Sequence, residues 1–226
     1  MQHGARYAMR RDGRVSFAVV DETGTVRGYY SARQYYSASV VKAMLMVCYL
    51  NHRSVRNRSL TAGDRDLVGP MITRSDNARA SRIFRMVGRS CLSRIARKAG
   101  MRNFRTTPNW AETRITAADQ ARLFVRIDYL TYPRHRLYGR NLLANIVSSQ
   151  RWGIPKAAPG GWKVHFKGGW RRLRGTQLSH QAALLRKGER RYSIVVLTDG
   201  KRSQAYGRET IKGVAERVLR NYNGYD

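Results

Sequence analysis

The chain has 226 residues, 42% of them hydrophobic, enough for one domain with a substantial core. Its 44 Lys and Arg against 14 Asp and Glu give a formal charge of +30, spread from Arg6 to Arg220, a field that draws polyanions such as nucleic acid, anionic lipid headgroups and anionic wall polymers. No zinc-finger spacing, phosphate-cradling loop or RNA-recognition aromatic motif accompanies that charge, which argues against a specific nucleic-acid partner, and no apolar run approaches the roughly 18 residues of a transmembrane helix.

Residues 1–12 are polar and basic, and no hydrophobic signal segment follows them; either the protein is cytosolic or an export signal has been removed. Residues 14–21 and 25–30 are β-rich around an Asp-Glu-Thr-Gly turn and predict a hairpin. Residues 37–50 are apolar nearly all round and predict a buried central helix with Ser37 as its N-cap. From about residue 64 to 129 the pattern is helical, with segments at 78–87, 92–98 and 117–127, and residues 141–150 predict one more helix. A loop at 156–161 precedes strands at 162–166, 177–185 and 192–198, with turns at Gly168-Gly169 and Lys187-Gly188-Glu189. The last helix, 208–222, sets Ile211, Val214, Ala215, Val218 and Leu219 on one face.

The expected fold is therefore α+β. N- and C-terminal strands join in one antiparallel sheet flanked by helices, in a lobe of about residues 1–36 and 151–226, and an all-α lobe of about 37–150 is inserted, all within a single domain, 1–226. The two cysteines, Cys48 and Cys91, are too few for a metal site or a disulfide framework. Cys48 lies in the apolar run 44–50 and reads as a buried free thiol, with a single disulfide as the alternative.

Three short motifs carry chemistry. In Ser39-Val-Val-Lys42, positions i and i+3 share a helix face, so the amine can reach the hydroxyl. Ser39 in the first turn also has free N–H groups and the positive end of the helix dipole about it, which favour an oxyanion. Lys42 can act as a base only if its pKa is depressed, and residues 37–50 contain no other charge. Alone, such a pair occurs by chance with the Lys snorkelling to water. Ser75-Asp76-Asn77, 36 residues after Ser39, is by itself a helix cap, and Lys167-Gly168-Gly169 is by itself a turn after a strand. In this order and in these settings the three support one another.

Together they resemble the signature of class A β-lactamases and penicillin-binding proteins: Ser-x-x-Lys, Ser-Asp-Asn and Lys-Thr-Gly. The likeness covers nearly the whole chain. Residues 18–42 resemble the family's opening hairpin and nucleophile helix, 113–121 its exit from the Ω-loop, and 161–169 its active-site edge strand. The resemblance implies that Ser39 is acylated, with Lys42 as base or proton relay. It implies further that Ser75 passes a proton to the leaving nitrogen, that Asn77 bonds the substrate amide, and that Lys167 holds a substrate carboxylate and tunes Ser75. Gly169 and Trp170 would border the substrate, with the N–H groups of Ser39 and Trp170 as the oxyanion hole. The substrate would be a β-lactam or a wall-type peptide, the setting secreted or cell-envelope, and no metal or organic cofactor is implied.

The departures bear on mechanism. Gly168 replaces the family's Thr, the stretch between Ser39 and Ser75 is short, and the Glu-x-x-Leu-Asn pattern that supplies a deacylating base is missing. Glu112 is the acidic residue in that neighbourhood, and it reads as a structural ion-pair or capping residue before it reads as a base. His165 shares a strand face with Lys167 and would be placed as an auxiliary base, whereas His180 has no such neighbour. Trp170 is expected at the cleft mouth and Trp162 in core packing. Three readings follow: an acylating hydrolase slow to deacylate, an efficient class A enzyme with a divergent Ω-loop, or a cationic polyanion-binding protein that keeps the fold without turnover.

Overall fold

The computed structural model describes residues 1–173 and 175–220. In chain order its elements are α1 (Gln2–Met9), β1 (Arg14–Val20), β2 (Val26–Tyr29), β3 (Tyr35–Tyr36), α2 (Lys42–Leu50), α3 (Ala62–Thr73), α4 (Asn77–Ala99), β4 (Arg114–Ile115), α5 (Ala117–Val125), α6 (Ile127–Leu130), α7 (Arg136–Ala144), α8 (Ile154–Ala157), β5 (Lys163–Leu173), β6 (Thr176–Lys187), β7 (Arg190–Lys201) and α9 (Gln204–Leu219).

The fold is α+β, as expected. Five antiparallel strands in the order β2-β1-β7-β6-β5 form the main sheet. The N-terminal β1 pairs with the C-terminal β7 from Arg14 opposite Asp199 to Val20 opposite Ser193, so the two ends of the chain share one sheet. Side chains alternate across a strand. On β7, Ser193 Oγ donates to the Ala121 carbonyl of α5, whereas Thr198, of opposite parity, lies against Gly207 of α9, so these helices cover opposite faces. Burial on both faces explains why β1 and β7 read as continuous apolar runs without a polar-out alternation.

All nine residues of α2 are buried, which accounts for its all-round apolar pattern. Its first turn differs from the expectation. Ala38–Val41 is a 3-10 turn and Ser37 makes no capping bond; its Oγ donates instead to the Trp110 carbonyl, 3.2 Å away. The predicted segments 78–87 and 92–98 are the two arms of α4, broken at Gly88, whose φ of 67° is left-handed. Cys48 is not a free thiol. It forms a disulfide with Cys91 across a Cα separation of 6.0 Å, because α2 and α4 pack side by side, a neighbourhood that a sequence separation of 43 conceals.

Five other expectations change. Residues 2–9, expected only to be polar and basic, form α1, which lies on α9. The helix expected at 141–150 is α7, which ends at Ala144 where Asn145 Nδ2 donates to the Asn141 carbonyl; Ser148–Gln150 is a separate 3-10 turn. The loop expected at 156–161 begins inside the short α8. Gly168-Gly169 is not a turn, since β5 pairs with β6 without interruption from Lys163 opposite Arg186 to Leu173 opposite Thr176. The last helix starts at Gln204, capped by Ser203 Oγ on the Tyr206 N–H; its expected extension over 221 and 222 lies outside the described residues.

Candidate active site

The site forms where the 3-10 turn before α2 meets β5. Ala38, in the residue before Ser39, is held at a φ of +42°, a conformation that costs a non-glycine residue and persists only when its surroundings impose it. Those surroundings are the two-stranded β3-β4 ribbon and a backbone bond from the Ser37 N–H to the Thr113 carbonyl at 2.8 Å. Ser37, Ala38 and Val40 are buried while Ser39 is only half-buried. The hydroxyl of Ser39 makes no hydrogen bond among the described residues, so it stands open at the head of the central helix.

Lys42 follows three residues later as the first residue of α2, and it is fully buried. Its Nζ donates to the Ser75 carbonyl at 2.5 Å and to Asn77 Oδ1 at 2.7 Å, and lies 3.2 Å from Ser75 Oγ. The indole of Trp110 lies against it, 4.9 Å from Nζ to the ring centroid. Ser75 has a left-handed φ of 62°, immediately before Asp76, whose side chain caps α4 by accepting from the Arg79 N–H at 2.8 Å. Asp76 and Asn77 thus divide the work of their motif: one fixes the helix end and the other faces Lys42.

From the opposite side, Lys167 of β5 brings a second fully buried amine. It donates to Ser75 Oγ at 3.1 Å and to the Gly168 carbonyl at 2.9 Å. Burial disfavours the charged form of an amine. Lys42 is lowered to about 7 by burial, with the Asp76 carboxylate opposing the shift. Lys167 is held well below the usual lysine range, first by burial and then by the charge of Lys42. Two ammonium groups on one half-buried hydroxyl repel each other, so the pair favours a neutral amine.

Gly169 explains the motif's second glycine. A Cβ there would stand 2.9 Å from the backbone nitrogens of both Ser39 and Val40, so only glycine lets the strand lie against the turn that carries Ser39. Gly168 instead faces Trp152 and Trp170, with the rings 3.4 and 3.7 Å from where its Cβ would be. Trp170 is half-buried and meets Trp152 edge-on at 6.0 Å between centroids. Trp162 packs edge-on against Tyr192 at 4.7 Å, away from this pair.

Glu112 ends the 3-10 turn Trp110–Glu112. Its side chain is 43% exposed and pairs with Arg171 at 3.7 Å, as expected of a structural ion pair. His165 is buried with Nδ1 3.2 Å from the Arg140 carbonyl, and it makes no hydrogen bond to Ser39, Ser75 or Lys167 among the described residues; the expected auxiliary base is occupied elsewhere. His180 is buried behind the site, where Nδ1 accepts from the Thr198 N–H and Nε2 donates to the Tyr36 carbonyl. Sequence reasoning missed Trp110 and Trp152. The one available signal for Trp110 was a tryptophan two residues before the loop's single acid.

A sequence profile of the β-lactamase enzyme family matches residues 56–222, which include Ser75, Asn77 and Lys167. No curated protein sequence matches the chain. Among solved structures, a β-lactamase from Sphaerobacter thermophilus is 17% identical with a TM-score of 0.83, over 100% of this chain and 98% of that one. A class A β-lactamase from Mycobacterium abscessus is 20% identical with a TM-score of 0.77, over 99% of each chain. PBP-A is 15% identical with a TM-score of 0.80, over 99% of this chain and 96% of that one. At these identities the structures speak for the fold and the profile for the family. The chain belongs to the β-lactamase enzyme family, with the fold of a β-lactamase-type serine hydrolase.

Proposed function

We propose that the protein acylates Ser39 with a β-lactam or a wall-type peptide amide and releases the acyl group slowly. One observation carries this reading: two buried amines, one of them three residues after Ser39, meet on Ser75 Oγ, and among the described residues no carboxylate hydrogen-bonds to Lys42, Ser75 or Lys167. A neutral amine has two N–H groups and a lone pair. With its N–H groups given to the Ser75 carbonyl and Asn77 Oδ1, Lys42 has its lone pair left for a hydroxyl proton.

In the forward step, Ser39 Oγ bonds to the amide carbon and its proton passes to Lys42. The negative charge on the carbonyl oxygen is met by the N–H groups of Ser39 and Trp170. The C–N bond then breaks, and the proton travels through Ser75 to the departing nitrogen. Asn77 borders the substrate amide and Lys167 its carboxylate, a contact made without the hydroxyl that Gly168 lacks. Hydrolysis of the ester needs a second base for water, and its loss slows that step by about 10²–10⁴-fold. Glu112, engaged with Arg171, does not supply it. Incubation with benzylpenicillin tests the reading: the mass added should sit on the peptide containing Ser39 and disappear in Ser39→Ala.

A second reading, efficient class A turnover, has one observation in its favour. Glu112 is half-exposed at the end of the turn whose Trp110 ring lies against Lys42, so release of Arg171 would bring a carboxylate toward the site. Rapid, Glu112-dependent turnover of a chromogenic cephalosporin would favour it. The formal +30 adds that the surface binds polyanions without sequence preference and that an envelope setting would hold the protein near anionic wall polymers or headgroups. No helix among the described residues is long and apolar enough to cross a membrane.

A further inference from the structure

A second cavity, of about 330 Å³, opens at the far end of β5 from Gly169, between that strand, α7 and the β6-β7 turn. Its wall carries Arg140, Lys163, Arg186 and Lys187, with the half of His165 that does not face the Arg140 carbonyl beside them. Two of these cations are built in. Asp128 of α6 is buried, and one of its oxygens, Oδ2, pairs with both Arg140 Nε at 3.4 Å and Arg186 Nη1 at 3.6 Å. One carboxylate thus orients two guanidinium groups while neutralising one charge. Both side chains are about three-quarters buried, at 27% and 23% exposure, so their positions are fixed before a ligand arrives.

The remaining guanidinium nitrogens, both Nη of Arg140 and Nη2 and Nε of Arg186, have no protein acceptor among the described residues, and Arg186 Nε is buried. Lys163, opposite Arg186 in the β5-β6 register, is exposed and has no ion pair among the described residues. A planar fork held by a buried carboxylate, with a mobile ammonium beside it, is the arrangement that recognises tetrahedral oxyanions through charge-assisted hydrogen bonds. Arg58 and Arg14 also pair with buried carboxylates, Asp64 and Asp199, but among the described residues each of those carboxylates holds one arginine, whereas Asp128 holds two.

We propose that this cavity is a binding site for a phosphate group, either free or as part of a phosphodiester polymer, separate from the Ser39 cleft. The site fixes such a group on the strand that also carries Lys167, so a polymer seated there would run alongside the acylation site. The proposal does not depend on acylation, and its test reads binding alone.

The test is calorimetric titration of the protein with inorganic phosphate, and separately with a polyphosphate chain, at about 0.15 M salt, where exposed charges are screened beyond about 8 Å. One saturable site is expected. Lys163→Glu should weaken it by about tenfold or more, while Arg6→Glu, an equal charge change in the separate basic group on α1, should change it by less than about twofold. Arg186→Lys keeps the charge beside Asp128 and removes the fork, so it should weaken binding by about threefold or more with the fold intact. Tighter binding of polyphosphate than of phosphate, lost with Lys163→Glu, identifies a polymer grip; equal binding identifies a free phosphate. Absence of saturable binding by either ligand, or equal losses in Lys163→Glu and Arg6→Glu, would overturn the proposal in favour of the general field.

Discussion

Lys42 and Lys167 reach the same hydroxyl, Ser75 Oγ, from 3.2 and 3.1 Å, one from the central helix and one from the sheet. The pair couples the central helix to the sheet at the hydroxyl through which the proposed chemistry passes a proton, and its titration would set the pH range of that chemistry.

Acylation should therefore follow the titration of Lys42. Its folded pKa of about 7 lies below the ordinary lysine value, so the neutral base is absent at low pH and present above 7. The acylation rate with benzylpenicillin, followed by stopped flow from pH 5 to 9, should rise about tenfold per unit on the acid side and level off above about 7. A limb still climbing steadily beyond pH 9 would remove Lys42 from the role of base.

Asp76 is the carboxylate that raises Lys42 against the effect of burial. Asp76→Asn keeps an oxygen to cap α4, and Asn caps as well as Asp, so the cost to the helix end should stay below about 1 kcal/mol. Without the charge, the acid limb should move to lower pH. An unmoved limb would mean that Asp76 acts only through the helix.

Gly169→Ala would place a Cβ 2.9 Å from the Ser39 and Val40 nitrogens, inside any real carbon contact. Either β5 or the turn that carries Ser39 must shift. The variant should lose about 1–3 kcal/mol in urea denaturation, as for overpacking at a tight contact, and acylate about 10²-fold more slowly. Wild-type acylation in this variant would show that the approach of strand and turn is not what positions Ser39.

His180 makes stability depend on pH. Burial lowers it to about 4, while in the unfolded chain it titrates near 6.5. Its contribution is full above about 6.5 and is lost as pH falls toward 4, because the unfolded chain takes up the proton first. The loss should be on the order of 3 kcal/mol between pH 6.5 and 4, read from urea midpoints. His180→Gln should flatten that slope whatever its own stability, and an unchanged slope would assign the pH dependence elsewhere.

The three motifs were legible because each is local: Ser39 and Lys42 sit one turn apart, and Ser75 and Asn77 flank a helix cap. Their meeting was legible only through resemblance, since no periodicity shows that β5 lies against the turn before α2. Gly168-Gly169 misled for the same reason. Glycines that permit close approach look in sequence like glycines that turn the chain, and only the strand register separates them. The Cys48–Cys91 bond was hidden because burial is equally consistent with a thiol, and the pairing depends on how α2 and α4 pack. The roles of Trp110 and Trp152 come from tertiary contacts and have no sequence signature. The shared hold of Asp128 on Arg140 and Arg186 likewise joins residues from three separate elements.

The central claim is that acylation is complete and deacylation is not, and intact-mass analysis during reaction with excess benzylpenicillin tests it most directly. The predicted record is a burst of about one equivalent of added mass on the peptide containing Ser39, persisting through slow turnover. Labelling should be abolished in Ser39→Ala and much slowed in Lys42→Ala, and the slow phase should be little changed in Glu112→Gln. Rapid turnover without accumulation, collapsing in Glu112→Gln, would contradict the account in favour of an efficient β-lactamase, and no labelling at all would contradict it in favour of a binding protein.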